Sequence, residues 1–256
     1  MGYCNTTGVK NMDYIITDPN LIYENEKDLY TEEILYLPEI WNCHCGFDFE
    51  RKENPPPLLK NNYITFGSFN NPAKINENVV DCWSKILKNI KNSKLVIKCP
   101  SDKKKFSRIE KLIKDKDILK SVIFITKFED KKNHLNFYNK IDIALSPFPY
   151  GGGTTTIEGL WMGVPALTRK GNHLISHYGE SIAYNCGLKD WVVGNDDEYL
   201  SKAIELSMDI KSLSKLREGL RKKVLNSPIF DAERFSKNFE KVLWDMWKIS
   251  RKNITS

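Results

Sequence analysis

Beyond residue 62 the chain alternates two rhythms. Short apolar runs recur at YITFGS (63–68), KLVIKC (94–99), SVIFIT (121–126), IDIALSPF (141–148) and VPALTR (164–169). Runs of this length bounded by polar or turn residues predict strands buried on both faces. Between them the apolar residues fall at helical spacing. Val79, Val80, Trp83, Ile86, Leu87 and Ile90 mark one side of a helix over 76–92, and Phe106, Ile109, Leu112 and Ile113 mark another over 103–118. KKNHLNFYNK (131–140) predicts a helix, and a further one opens after a glycine–threonine stretch near residue 150. From Asp196 onward the pattern is helical, ending in an amphipathic run through Phe235, Phe239, Val242, Leu243 and Trp247. Strands alternating with helices predict an α/β fold, a doubly wound parallel sheet over residues 63–256.

Residues 1–53 do not alternate in this way. GYCNTTG is rich in turn formers, MDYIITD reads as a short strand, and EEILYLPEIW is helix-like or extended. NPPPLLKNN (54–62) predicts an extended linker, because three prolines restrict the backbone and remove hydrogen-bond donors. No internal repeat is visible.

Composition narrows the function classes. With 41% hydrophobic and 28% charged residues the chain supports a core and a soluble surface. The net charge of +6, from 39 basic and 33 acidic residues, is spread along the chain. The basic runs at 103–105 and 221–223 fall in helical patterns and read as solvated faces, so nucleic acid is not an expected partner. Mild positive charge suits a small anionic substrate. The six cysteines are scattered without a CxxC pair, which predicts reduced thiols and a cytoplasmic setting. No apolar run reaches the roughly 18 residues of a membrane span.

Ligands of open parallel sheets sit at the carboxyl ends of the strands. Two loops there carry chemistry. GSFNNPAKI (67–75) offers amides at Asn70 and Asn71 and an ammonium at Lys74. An Asn-Pro turn with a surface lysine and a lysine reaching a phosphate are equally consistent with those residue types. FPYGGGTTTIEGLWMGVP (148–165) brings Gly151, Gly152 and Gly153 against Thr154, Thr155 and Thr156 at a helix start. Glycines let a ligand approach the backbone, and unpaired N–H groups with the helix dipole attract anions. Glu158, in the first turn, is placed to accept hydrogen bonds from a ribose diol or simply to complement the dipole. Trp161 and Met162 read as core. His134 alone reads as a surface or core histidine. Cys43-His44-Cys45, the His173/His177 pair at i, i+4 and Asp115-Lys116-Asp117 each lack the further ligands or context of a metal site, so no metal is expected. GxGxxG and GxxxxGK[ST] are absent.

These segments together carry a resemblance. FGSFNNPAKI, LVIKC, DIALSPFPYGGGTTTIEGLWMGVPALT, GLKDWV and DEY, in this order, resemble the C-terminal catalytic region of the SPINDLY/O-GlcNAc transferase family, and GYCNTTG and MDYIITD resemble the segment just upstream. FPY and TTT place the chain nearer the SPINDLY-like branch than the animal enzymes, which have a histidine before two threonines. The resemblance implies a GT-B architecture of two Rossmann-like lobes, with the nucleotide sugar in the C-terminal one. It implies inverting transfer of a sugar, without a metal or other cofactor, from a nucleotide diphosphate to Ser or Thr hydroxyls of a protein or peptide acceptor. Lys74 matches the lysine on the diphosphate and is the catalytic candidate. Asn71 falls where a polar side chain faces the phosphates. Gly153, Thr154 and Thr155 match the pyrophosphate turn, with Gly152 and Thr156 as further nucleotide-sugar-binding candidates; Glu158 matches the acidic residue on the ribose, and His134 a histidine near the base.

Gly153 stands where the animal enzymes have histidine, and the SPINDLY-like branch includes fucosyltransferases, so both UDP-GlcNAc and GDP-fucose stand as donors. The resemblance further implies that most of the N-terminal lobe, with preceding tetratricopeptide repeats, lies outside this chain, residues 1–53 being its remnant. A non-catalytic nucleotide-sugar-binding or regulatory module is the competing expectation.

Overall fold

The computed structural model describes residues 5–48, 55–99, 103–126 and 131–255. Cys4, Asn54 and the side chains of 103–105 lie outside the described residues. Two short strands, Tyr14–Thr17 (β1) and Glu33–Tyr36 (β2), pair in parallel with Tyr14 opposite Glu33. A single helical turn, Leu58–Asn61 (α1), leads into Thr65–Ser68 (β3). Then follow Glu77–Asn89 (α2), Lys94–Lys98 (β4), Lys103–Asp115 (α3), Val122–Ile125 (β5), Lys131–Asn136 (α4), Ile143–Leu145 (β6), Thr154–Trp161 (α5) and Ala166–Arg169 (β7). Leu174–Asn185 (α6), Val192–Val193 (β8), Asp196–Met208 (α7), Ile210–Leu225 (α8) and Ala232–Thr255 (α9) complete the chain.

The main sheet is parallel throughout, in the order β5-β4-β3-β6-β7-β8. This is the doubly wound arrangement, and the winding reverses between β3 and β6. Chain leaving the carboxyl ends of those two strands must diverge to opposite faces, which opens a crevice there. The two loops singled out in the sequence leave from these two strands.

The centre of the sheet is dry. Every residue of β3 is buried, and Phe66, Ile97, Ile143 and Leu167 are fully covered. On α2, Val79, Val80, Trp83 and Ile86 turn one face inward. Each such side chain contributes roughly 2 kcal/mol through removal from water. Asn76 starts this helix by accepting the Val79 N–H at 3.0 Å, which satisfies one of the unpaired first-turn donors.

At the opposite end of the sheet from the crevice, the fully buried Asp142 accepts N–H bonds from Leu58 (3.0 Å) and Thr65 (2.8 Å). Arg217 of α8 donates to the carbonyls of Ile141 and Asp142, both at 2.7 Å. Burial raises the Asp142 pKa against the pull of these partners. Residues before the proline stretch dock on α6. Leu21 and Ile22 pack with Leu174 and Tyr178, while Asp18 accepts from Ser181 Oγ (2.7 Å), Trp41 N (2.9 Å) and Asn20 N (2.8 Å).

Three details depart from the sequence reading, and one open alternative is resolved. Residues 58–61 are helical rather than extended, since Pro57 already sits in the helical region and Leu58 is buried. The expected helix over 103–118 ends at Asp115, with Asp117 in a left-handed conformation at φ 56°. The expected helix over 131–140 is α4 followed by a 3-10 turn over Phe137–Lys140. EEILYLPEIW supplies β2, the extended alternative. Helix α6 and strand β8 had no sequence signal: α6 buries His177, Glu180 and Ser181, which breaks its apolar period, and β8 is only two residues long. Among the described residues no helix is long and apolar enough to cross a membrane.

Candidate functional site

The loop after β3 carries Asn70, Asn71 and Lys74. Asn71 caps the 3-10 turn Pro72–Lys74 by accepting the Ala73 N–H at 3.0 Å. That turn aims Lys74 back across the crevice, where Nζ donates to the Gly151 carbonyl at 2.8 Å and lies 3.6 Å from the centre of the Tyr150 ring. Burial pulls the Lys74 pKa down to about 8, since a half-buried ammonium loses hydration.

The loop after β6 is stitched from within. Gly152 N donates to Ser146 Oγ (3.0 Å), and Thr156 Oγ1 donates to the Gly152 carbonyl (2.9 Å). Thr155 Oγ1 crosses to Asn70 Oδ1 at 2.8 Å, and Asn76 Nδ2 donates to the Phe148 carbonyl at 2.8 Å, so each loop holds the other. A Cβ on Gly152 would lie 2.5 Å from Thr156 Oγ1 and 2.8 Å from Thr155 Oγ1, which explains glycine there. A Cβ on Gly153 would meet nothing within 4 Å. Gly153 is the N-cap of α5 and accepts from Thr156 N and Ile157 N. The N–H groups of Thr154 and Thr155 precede that first pair and point out of the helix end.

A cavity of about 730 Å³ fills the crevice. Asn71, Lys74, Gly153, Thr154 and Thr155 line it from the two loops, together with Tyr150, Tyr178, Trp41 and Asn42. Lys74 is its single charged lining residue among the described residues, and no carboxylate or histidine joins it. An ammonium, a helix N-terminus and several hydroxyls and amides around one space form an anion site.

The other sequence candidates stand behind this wall. Gly152 and Thr156 are buried and shape the turn from inside. Glu158 and His134 form a pair, Nε2 to Oε2 at 3.3 Å, with Lys98 on the other ring nitrogen of His134. Tyr138 donates to the Thr155 carbonyl (2.9 Å) and approaches Glu158 (3.3 Å). Burial, then the Glu158 charge, push the Tyr138 phenol well up, so it remains a donor. Glu158 thus meets His134 and Tyr138 rather than open space.

Sequence reasoning missed Tyr150, Tyr178, Trp41 and Asn42. Only FPY, immediately before the glycines, hinted at the first. The stacking of Trp41 on Tyr178 (5.1 Å, 15°) joins positions far apart in the chain and leaves no local signature. The expected core residues Trp161 and Met162 are buried. His177 is fully buried with its ring nitrogens on the carbonyls of Leu21 (2.8 Å) and Gly171 (2.7 Å), whereas His173 is exposed at the start of α6. His44 accepts the Gly46 N–H and packs against Phe47 and Phe230. Among the described residues no three His, Cys, Asp or Glu side chains gather as metal ligands, and the five described cysteines are free.

Comparison with known proteins places this geometry. Residues 57–239 match the profile of Glycosyl transferase family 41. The chain is 37% identical, over 97% of its length, to a probable UDP-N-acetylglucosamine–peptide N-acetylglucosaminyltransferase SPINDLY of Solanum lycopersicum and to that of Arabidopsis thaliana. It spans 27% and 28% of those proteins. A solved O-GlcNAc transferase variant of Thermobaculum terrenum superposes with a TM-score of 0.88 at 28% identity, over 98% of this chain and 48% of that one. Staphylococcus aureus TarM superposes with a TM-score of 0.63 over 91% of this chain and 43% of that one; at 14% identity it supports the fold alone. The fold is of the GT-B type.

Proposed function

The chain belongs to Glycosyl transferase family 41, and from that premise we propose that it is the donor half of a protein O-glycosyltransferase, moving a sugar from a nucleotide diphosphate to a Ser or Thr hydroxyl. UDP-GlcNAc is the donor favoured by the names of the relatives, with GDP-fucose as the alternative. The observation that carries the proposal is the lone Lys74 ammonium converging with the open start of α5 on one cavity. Bond cleavage at the anomeric carbon leaves its electron pair on the diphosphate. Lys74 Nζ, the N–H groups of Thr154 and Thr155 and their hydroxyls meet that growing charge, which lowers the barrier because they are already oriented. The Ser or Thr oxygen forms the new bond to the anomeric carbon from the face opposite the departing diphosphate, which inverts that carbon, and its proton passes to the diphosphate or to a base of the acceptor lobe. With the leaving charge met by these groups, the step runs without a metal. Glu158 and His134 keep the ribose and base-side roles in this proposal only if nucleotide binding draws the Glu158 carboxylate away from His134 and Tyr138.

In this reading residues 1–53 form the end of the N-terminal lobe, 54–62 the linker and 63–256 the donor lobe. The curated relatives are more than three times as long as the span matched here, and in this reading the acceptor site and any tetratricopeptide repeats correspond to that additional length. A second reading, a nucleotide-sugar-binding module without transfer, is favoured by one observation: among the described residues no carboxylate or histidine lines the cavity to take the acceptor proton.

Calorimetric titration with UDP, GDP, UDP-GlcNAc and GDP-fucose, in EDTA, tests the site. Saturable binding of the uridine pair is expected, about 10–100-fold weaker in Lys74→Ala, the loss of a charge-assisted contact. Equal affinity in Lys74→Ala would remove the diphosphate assignment. A Ser/Thr peptide incubated with the donor and this chain supplemented with the N-terminal lobe of a family relative separates the two readings: sugar transfer supports the enzyme, and donor binding without transfer even then supports the module.

A further inference from the structure

Tyr150 is the residue on which Lys74 rests, and none of the family motifs assigns it a role. The Lys74 Nζ sits 3.6 Å from the ring centroid and has a single backbone acceptor, the Gly151 carbonyl at 2.8 Å. That distance is well inside the roughly 6 Å over which a ring quadrupole attracts a cation. We propose that Tyr150 is a positioning residue for Lys74, its ring holding the ammonium in charged form at the mouth of α5 until a diphosphate replaces it. The inference rests on the donor-site reading above.

The surroundings leave this task to the ring. The charged and titratable groups facing Lys74 are few among the described residues. Tyr150 and Tyr178 are the phenols of the cavity wall, and Arg108 lies behind the turn, donating to the Pro72 carbonyl at 2.8 Å. Among the described residues no carboxylate lines the cavity to keep the ammonium charged. Desolvation draws Lys74 down to about 8, and the Tyr150 ring face opposes that loss of charge. A neutral amine offers the diphosphate no charge. Binding therefore takes up a proton above pH 8, and affinity falls as pH rises through that value. Because the attraction comes from the ring face, phenylalanine should substitute for tyrosine, whereas an aliphatic side chain should not.

The test uses two readouts on the chain as it is. The first is NMR titration of lysine ε-groups after reductive ¹³C-methylation, with the Lys74 signal identified by its disappearance in Lys74→Arg. Tyr150→Phe is expected to keep the Lys74 midpoint. Tyr150→Leu, and Tyr150→Met should the leucine variant fold poorly, are expected to lower it by roughly 0.5–1 unit. The second is the UDP-GlcNAc affinity from pH 6.5 to 9. Wild type should weaken above pH 8, the aliphatic variants should be about three- to tenfold weaker than wild type at pH 8.5 and nearly equal at pH 6.5, and Lys74→Arg should show no such slope. Unchanged Lys74 midpoints in the aliphatic variants would overturn the role of Tyr150. A shifted midpoint together with full affinity in Lys74→Ala would instead overturn the diphosphate reading, and with it the purpose assigned to the ring.

Discussion

Gly152 and Gly153 are neighbours of the same type with opposite reasons for being glycine. The first lies inside the turn, where an added methyl would collide with Thr155 Oγ1 and Thr156 Oγ1 and press on Asn70 Oδ1 at 3.1 Å. The bond between Thr155 and Asn70 that ties the two loops would have to move. The second faces the cavity, and a methyl there has open space. Gly152→Ala is therefore expected to weaken UDP-GlcNAc binding by tenfold or more, while Gly153→Ala stays within about threefold. Calorimetry on the two variants checks this, and equal losses would show that the cradle is not built as described. The space beside Gly153 is also where the animal relatives of the resemblance place a histidine, so a side chain at this position changes what the donor meets rather than whether the loop folds.

Asn76 joins an element to the site. Its Oδ1 caps α2 through Val79 N, and its Nδ2 holds the Phe148 carbonyl at the entrance to the glycine loop. One amide thereby couples the start of a helix on one face of the sheet to the loop after β6. In Asn76→Ala both bonds are lost, and a cost of about 1–3 kcal/mol in urea denaturation is expected, the sum of a lost cap and one unpaired carbonyl. Asn76→Asp keeps the cap but not the donor, so it should recover the cap's share of stability while leaving nucleotide affinity reduced. Full recovery of affinity in Asn76→Asp would show that the Phe148 contact does not shape the loop.

For the molecule as a whole, the segment before the proline stretch completes the cavity. Trp41 and Asn42 form part of the cavity wall, and Trp41 is held there through Asp18, whose carboxylate gathers Trp41 N, Asn20 N and Ser181 Oγ on α6. Burial raises the Asp18 pKa even with these donors in place. Asp18→Ala leaves them without their acceptor, and a loss of about 2–5 kcal/mol is expected by thermal or urea unfolding. The same variant should bind UDP-GlcNAc more weakly, because the Trp41 wall loosens. Destabilisation with undiminished affinity would mean that residues 5–48 merely decorate the lobe.

The parallel sheet, its helices and the two site loops were legible in the chain, because strands buried on both faces must be apolar runs and amphipathic helices must repeat at their own period. Lys74, Asn71 and the glycine–threonine turn, which the structure brings to one cavity, could be singled out for a different reason: glycines and hydroxyls run together at a helix start make a local motif. What the chain could not reveal locally depends on partners far away in it. Helix α6 hides its period behind His177, Glu180 and Ser181, buried polar residues whose partners include Leu21 and Asp18 in the distant N-terminal segment. Glu158 turned toward His134 and Tyr138 because α4 and the following turn pack beside α5. Trp41 and Tyr178 became a cavity wall, and Tyr150 a seat for an ammonium, only when the crevice between β3 and β6 was closed by packing. Periodicity and motif are properties of neighbours along the chain, while a site wall and a shifted pKa are properties of neighbours in space.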